Sequence, residues 1–218
     1  MLKADLHIHT EYSPDCDTPL EKIINRCLEL GINCIAIADH GTAEGALKMQ
    51  ELAPFTVIVA EEMLTLDGEI MGMFLKETIP SGLSVDETIS RIRSQDGLVN
   101  IPHPYDTFRG AALGNKMEIM IGKIDAIEVF NSRSPLVRSS IKAQQFADKH
   151  GIAQSAGSDA HSHHEIGNTY IEMPEFSGKD DFLQALTLGT ITGHKTNPLR
   201  HLDSTWAKIK SMVSNEQL

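Results

Sequence analysis

One repeated unit restricts the fold more than any other feature. A short apolar run, a polar stop and an amphipathic helical pattern recur about seven times along the 218 residues. Such alternation, with short connections, calls for parallel strands joined by right-handed crossovers. Most of the runs stop on side chains with chemistry: His7 and His9, Asp39-His40-Gly41, Glu61-Glu62, Pro102-His103-Pro104, Asn131-Ser132-Arg133, and Gly157-Ser158-Asp159-Ala160-His161. In a sheet closed on itself, the carboxyl ends of the strands meet at one mouth, where barrel enzymes work. An open doubly wound sheet shares this polarity, but it gathers six strand ends to one point less naturally. The expectation is an α/β barrel with its site at the C-terminal ends of the strands.

The residue types at those ends suit a metal centre. Alternation along a strand places His7 and His9 on one face, with Leu6 and Ile8 on the other. Two neighbouring imidazoles can share an ion or hold adjacent ones. Asp15, in the loop that follows, can return as an oxygen ligand. Asp159 and His161 repeat the alternate spacing, and the prolines around His103 stiffen its backbone. Of the adjacent Glu61 and Glu62 only one can face the mouth, so the other is expected in solvent. Glu69, after the Asp67-Gly68 turn, is expected as an exposed turn residue. Arg109 and Arg133 lie past strand ends, where a guanidinium can grip phosphate or carboxylate in bidentate fashion. His150, His163 and His164 are expected outside the centre, and His194 and His201 either near the mouth or exposed.

Local signals set the element boundaries. Thr18 as N-cap with Pro19 at the first helical position opens a helix that Gly31 ends. Ser84 with Glu87 forms a capping box, and Gly97 closes that helix. Leu64 to Leu75 is expected as a hairpin turning at Asp67-Gly68. A weak helix is expected near Met117 to Ile121, and a long one from Pro135 to His150 stopping at Gly151. A C-terminal helix is predicted over about 204–213, packed on the same single domain, 1–218.

Composition removes several classes. Apolar residues make up 41% and charged residues 22%, as in a soluble globular protein. The apolar stretches are strand-sized, so no membrane span is expected. Cys16, Cys27 and Cys34 contain no Cys-x-x-Cys pair, which argues against a zinc ribbon or disulfide framework. Met1-Leu2-Lys3 leads straight into the first strand, leaving no room for a signal peptide, so a cytoplasmic protein is expected. A net charge of -11 argues against a stable nucleic-acid partner. A small anionic substrate remains compatible, because bound divalent ions would reverse the local field.

With these residues in view, the sequence resembles the polymerase and histidinol phosphatase (PHP) family. The carrying segments are Asp5-Leu-His-Ile-His-Thr10 with Asp15, Ala38-Asp-His-Gly41, Glu62 ahead of Gly68-Glu-Ile70, Ile101-Pro-His-Pro104 and Gly157-Ser-Asp-Ala-His161. The resemblance implies a distorted (β/α)7 TIM-like barrel holding two or three divalent ions, with Zn, Mn or Fe suited to the mixed ligands. It implies that His7, His9, Glu62 and Asp159 serve one part of the cluster, and that Asp15, His40, His103 and His161 complete it. At Asn131 the sequence departs from relatives that carry histidine after the same strand; asparagine is a weaker ligand. The implied activity is hydrolysis of a small phosphate ester, a phosphomonoester or nucleotide, by a metal-activated water. His40 or Asp159 would orient that water, while Arg109 and Arg133 would bind substrate. Two alternatives stay open: an amidohydrolase-type C–N hydrolase, although no lysine is placed for a bridging carbamate, and a metal-binding module without catalysis.

Overall fold

In the computed structural model, residues 1–107 and 112–197 are described. Arg109, His201 and the helix expected over 204–213 lie outside them. The chain runs β1 (Leu2–Ile8), α1 (Leu20–Leu30), β2 (Cys34–Ile37), α2 (Glu44–Leu52), β3 (Thr56–Leu64), β4 (Glu69–Met73), α3 (Val85–Ser94) and β5 (Leu98–Ile101). A 3-10 helix (Gly114–Met120) follows, then β6 (Ala126–Asn131), α4 (Val137–His150), β7 (Ala153–Gly157), β8 (Thr169–Met173), α5 (Lys179–Thr187) and β9 (Thr190–Gly193).

Among the described residues the strands form one sheet, ordered β7-β6-β5-β4-β3-β2-β1-β8-β9. Its first seven strands curl into a nearly closed barrel. The closing contact is a parallel bridge from Ile8 to Ala160, just beyond β7, with His9 N–H donating to the Ala160 carbonyl at 2.9 Å. β1 thus divides one edge between two partners. Its start, Leu2–Ala4, pairs with β8, and its end closes the barrel.

The sheet is not wholly parallel, as the hairpin expected over Leu64 to Leu75 requires. β4 runs antiparallel to both β3 and β5. The reason is the tight turn at Asp67-Gly68, held by Thr65: its Oγ1 accepts from both turn N–H groups and donates to the Gly68 carbonyl. A turn this short leaves no chain for a crossover. The reversal brings the start of β4, not its end, to the barrel mouth.

Two caps also differ from expectation. The Thr18 hydroxyl donates to the His161 carbonyl at 3.3 Å and does not cap α1. After α3 the left-handed residue is Asp96 (φ 63), not Gly97. Gly97 is small for another reason: a Cβ there would lie 2.9 Å from the Met73 carbonyl. Ser84 does cap α3, and Gly31 and Gly151 end their helices in the left-handed conformation. β9 had no apolar run to announce it; it is an edge strand with an exposed, polar pattern.

Two apolar layers follow from strand alternation. One lies between strands and helices, with Ile35, Ile37, Val59 and Ile101 against Ile23, Met49 and Phe146. The other fills the barrel with smaller strand residues such as Ala4, Ala36, Ala60 and Ala126, together with Phe182 of α5. Small side chains suit the narrow interior of a seven-stranded barrel. Among the described residues no helix is long and apolar enough to cross a membrane.

Candidate metal centre

Two bulges aim the first and sixth strands. Along β1, Leu6 belongs to the interior layer and Ile8 to the outer one, so the regular alternation expected for this strand fails. Pairing with β2 slips by one residue between Asp5 and Ile8. This slip turns His7 into the barrel, so that His7 and His9 face each other with Nε2 atoms 3.2 Å apart. A comparable slip between Glu128 and Phe130 lets Glu128 and Asn131, three residues apart, both face inward. Bulges re-aim side chains in this way beside functional sites.

Around the His7–His9 pair the structure gathers all eight residues expected as ligands. They form three overlapping groups, each with ligand atoms within 4.8 Å of one another: His9, Asp15, His40 and His161; His7, Glu62 and His103; and His7, His9 and Asp159. Glu62 links the groups. Its Oε1 lies 2.8 Å from His103 Nε2, and its Oε2 lies 3.3 Å from His7 Nε2 and 3.4 Å from His40 Nδ1. Asp159 Oδ1 lies 3.2 Å from His9 Nε2 and 3.5 Å from His161 Nδ1, while Asp15 Oδ2 lies 3.3 Å from His161 Nε2.

The backbone is strained where it presents these groups. His103 (φ 27) and Asp159 (φ 55) are left-handed without being glycine. Each such residue costs about 1–3 kcal/mol, which the surroundings must offset. Asp159 is held by its N–H donating to the His7 carbonyl at 2.7 Å, and His103 by its N–H donating to Glu128 Oε2 at 2.8 Å. Gly157 has no room for a side chain: a Cβ would collide with His7 Cβ and its backbone.

Electrostatics favour a cationic occupant. Burial alone would lift Glu62, but His7, His40 and His103 hold it well below the usual carboxylate range. Asp15 is likewise lowered, by His161 and His40 acting against burial. Burial pushes His7 down, yet Asp159, Glu128 and Glu62 carry it well above its ordinary value. His9 goes the other way: burial, reinforced by the neighbouring His161, lowers it to about 3. A neutral imidazole among carboxylates is the form a metal needs. His9 Nδ1 is buried with no hydrogen-bond partner among the described residues. Mixed imidazole and carboxylate donors, buried and converging, fit divalent transition metals better than calcium or magnesium.

A supporting layer was not anticipated from the sequence. Glu128 Oε1 accepts from His7 Nδ1 at 3.0 Å, the carboxylate–histidine arrangement that orients metal-binding rings. Asp39 accepts from Thr10 N–H at 2.6 Å, and burial raises it to about 6. Buried Asp5 accepts from Ser158 N–H at 2.9 Å. Only the alternate position of Glu128 within an apolar strand hinted at an inward carboxylate.

Two expectations need correction. Glu61 is buried, not solvated; its Oε2 accepts from Ile79 N–H at 2.8 Å, and burial pushes it up to about 7. Glu69 is not an exposed turn residue: its side chain is 13% exposed and lies 3.8 Å from His103 Nε2, because β4 begins at the mouth. Arg133 is buried, with Nε 3.6 Å from Glu165 Oε1, and Glu165 also accepts from His161 N–H. Arg133 therefore stands beside the His161 end of the cluster. His163, His164, His150 and His194 form no part of the three groups.

Comparison with known proteins agrees with this architecture. The family model PHP_C, described as PHP-associated, matches residues 140–191. The uncharacterized protein MJ0417 of Methanocaldococcus jannaschii is 33% identical over 201 residues, covering 87% of this chain and 81% of that one. Among solved structures, a two-domain protein from Bacteroides vulgatus containing a predicted PHP-like metal-dependent phosphoesterase superposes with a TM-score of 0.72 at 17% identity. That match covers 88% of this chain and 65% of the other, so this chain spans less than two thirds of it. The lesion-specific endonuclease PfuEndoQ from Pyrococcus furiosus superposes at 0.63 and 17% identity, covering 90% of this chain and 59% of that one. At these identities the structures establish a shared fold.

Proposed function

We propose that this chain, a member of the PHP family, is a metal-dependent phosphoesterase acting on a small phosphate ester. One observation carries the reading: side chains from separate strand ends converge in three overlapping groups at one barrel mouth. The likeness to phosphoesterase-containing structures supports it.

The ligand set is His7, His9, Asp15, His40, Glu62, His103, Asp159 and His161. Two or three ions of the Zn, Mn or Fe kind would supply Lewis acidity and an activated water when bound. The protein does the rest. Arg133, with Arg109, binds the phosphoryl oxygens. His40, partly exposed at the rim, is raised to about 9 because Glu62 and Asp15 offset its burial. Bound to a metal it would give up that proton and, as a ligand, would help orient the activated water. Asp159 orients the nucleophile, its carboxylate held by Asn131. Phosphoryl transfer asks mainly for such positioning and charge stabilisation. No stable nucleic-acid partner is included in this reading.

The test is phosphate release from a panel of phosphomonoesters, short nucleotides and an oligonucleotide, with Mn or Zn added and His9→Ala as control. Release from the monoesters that the variant abolishes establishes the class. Cleavage of the oligonucleotide alone would replace a small substrate with a nucleic acid. No release with metal bound would favour an amide hydrolase or a non-catalytic module.

A further inference from the structure

The side chain that ends β6 has no hydrogen-bonding capacity to spare. Asn131 Nδ2 donates to Glu128 Oε2 at 2.9 Å and to Asp159 Oδ2 at 3.0 Å. Its Oδ1 accepts from Arg133 N–H at 2.9 Å and from Ser134 N–H at 3.2 Å. A primary amide has two donor hydrogens and two acceptor lone pairs, and all four are engaged. The amide orientation follows from its neighbours. Flipped, it would point its oxygen at two carboxylates and its NH2 at two N–H groups. The residue is buried, so water does not compete for these bonds.

We infer that Asn131 is a positioning residue of the metal centre and contributes no ligand atom. This rests on the metal-centre reading above. Glu128 is the carboxylate behind His7 Nδ1 and the acceptor for His103 N–H. Through Glu128, Asn131 is one bond removed from the His7 ring and from the His103 main chain; through Nδ2 it directly holds the far oxygen of a third member, Asp159. Its donor hydrogens separate two buried carboxylates that would otherwise face each other as like charges. Through Oδ1 the same amide fixes the turn that carries Arg133. The main chain of Asn131 is anchored too: Lys195 Nζ donates to its carbonyl at 3.0 Å. Asn131 therefore sets the relative position of the metal cluster and the proposed phosphate-binding arginine.

The test uses Asn131→Ala, Glu128→Gln and the double variant. Two quantities are measured: ions bound per protein at saturating Mn or Zn, and affinity for that metal by chelator competition. A positioning role predicts the wild-type number of bound ions in every variant. It predicts affinity for the weakest-held ion about 10- to 100-fold lower in each single variant, the range seen when outer partners of metal ligands are removed. It predicts a double variant no weaker than the weaker single one, because both changes act through one network. One ion fewer in Asn131→Ala at saturation would make Asn131 a ligand and overturn the inference. Unchanged affinity, or fully additive losses, would also overturn it. The thermal midpoint of the metal-free protein separates a purely structural role, which would lower the midpoint and leave affinity unmoved. If Asn131→Ala does not fold, Asn131→Ser is judged by the same criteria. Wild-type protein that binds ions but releases no phosphate would refute the phosphoesterase and leave these affinities to decide the inference. Wild-type protein that binds none would refute both.

Discussion

The two ends of the barrel are built by opposite rules. At the mouth, buried histidines and carboxylates crowd together, and His103 and Asp159 hold left-handed backbone through hydrogen bonds. At the floor, where β4 leaves the sheet, Phe74 is also left-handed (φ 60), but apolar contact holds it. Its ring meets Phe182 edge-on at 5.2 Å between centroids, and Phe176 packs against both. Strain is tolerated at both ends, and the force offsetting it differs. At the floor it is area removed from water, which is non-directional and tolerant. At the mouth it is directional bonding among charges whose burial is costly. The mouth should therefore govern activity and metal binding, and the floor should govern stability.

The largest effect is expected from His9→Ala, which removes a member of two of the three groups. Phosphate release should fall at least about 10⁴-fold in an initial-rate assay, a loss of more than about 5 kcal/mol of transition-state stabilisation. The thermal midpoint of the metal-free protein should barely change; a large drop would make the mouth part of the stabilising core. Phe182→Ala is the converse. Chemical denaturation should show a loss of about 3–5 kcal/mol, with metal affinity of the folded protein unchanged. A fall in metal affinity would couple floor to mouth and break the comparison.

Chelation comes next. Metal at 100 times its dissociation constant should stabilise the wild type by about 2.7 kcal/mol, seen as a higher midpoint in calorimetry. His9→Ala should gain much less. The smallest effect concerns Glu61, the buried carboxylate next to the cluster. Burial raises it from 4.5 to about 7, so the folded chain holds a proton that the unfolded chain releases. Its contribution to stability therefore falls as pH rises from 4.5 to 7 and stays unfavourable above that. Glu61→Gln should be more stable than wild type at pH 8, by about 1 kcal/mol. The gain should vanish below pH 4.5 in paired denaturation curves. A gain independent of pH would assign the effect to packing.

Much of this was legible because it depends on residue type and period. Short apolar runs closed by His, Asp or Glu announce strands that end in chemistry, and the eight residues that the family resemblance implies lie together at the mouth. The helix stops at Gly31 and Gly151 were equally plain. What escaped depends on direction. Glu69 looked like a turn residue because the hairpin signal at Asp67-Gly68 does not tell that the returning strand starts at the barrel mouth. Glu61 looked solvated because one of two adjacent side chains on a strand must face away from the mouth. Here, facing away means facing packed helices and the Ile79 loop.

The sequence by itself determined which residues stand at strand ends, and with them the donor chemistry of the mouth. That information is local, carried by spacing and composition along the chain. Only the tertiary structure decided which of those side chains point inward. His7 turns into the barrel, and Glu128 joins Asn131 there, because β1 and β6 each slip by one residue against a neighbour. A strand's register is set by pairing with segments distant in sequence. A single-residue slip exchanges inside for outside without altering any residue.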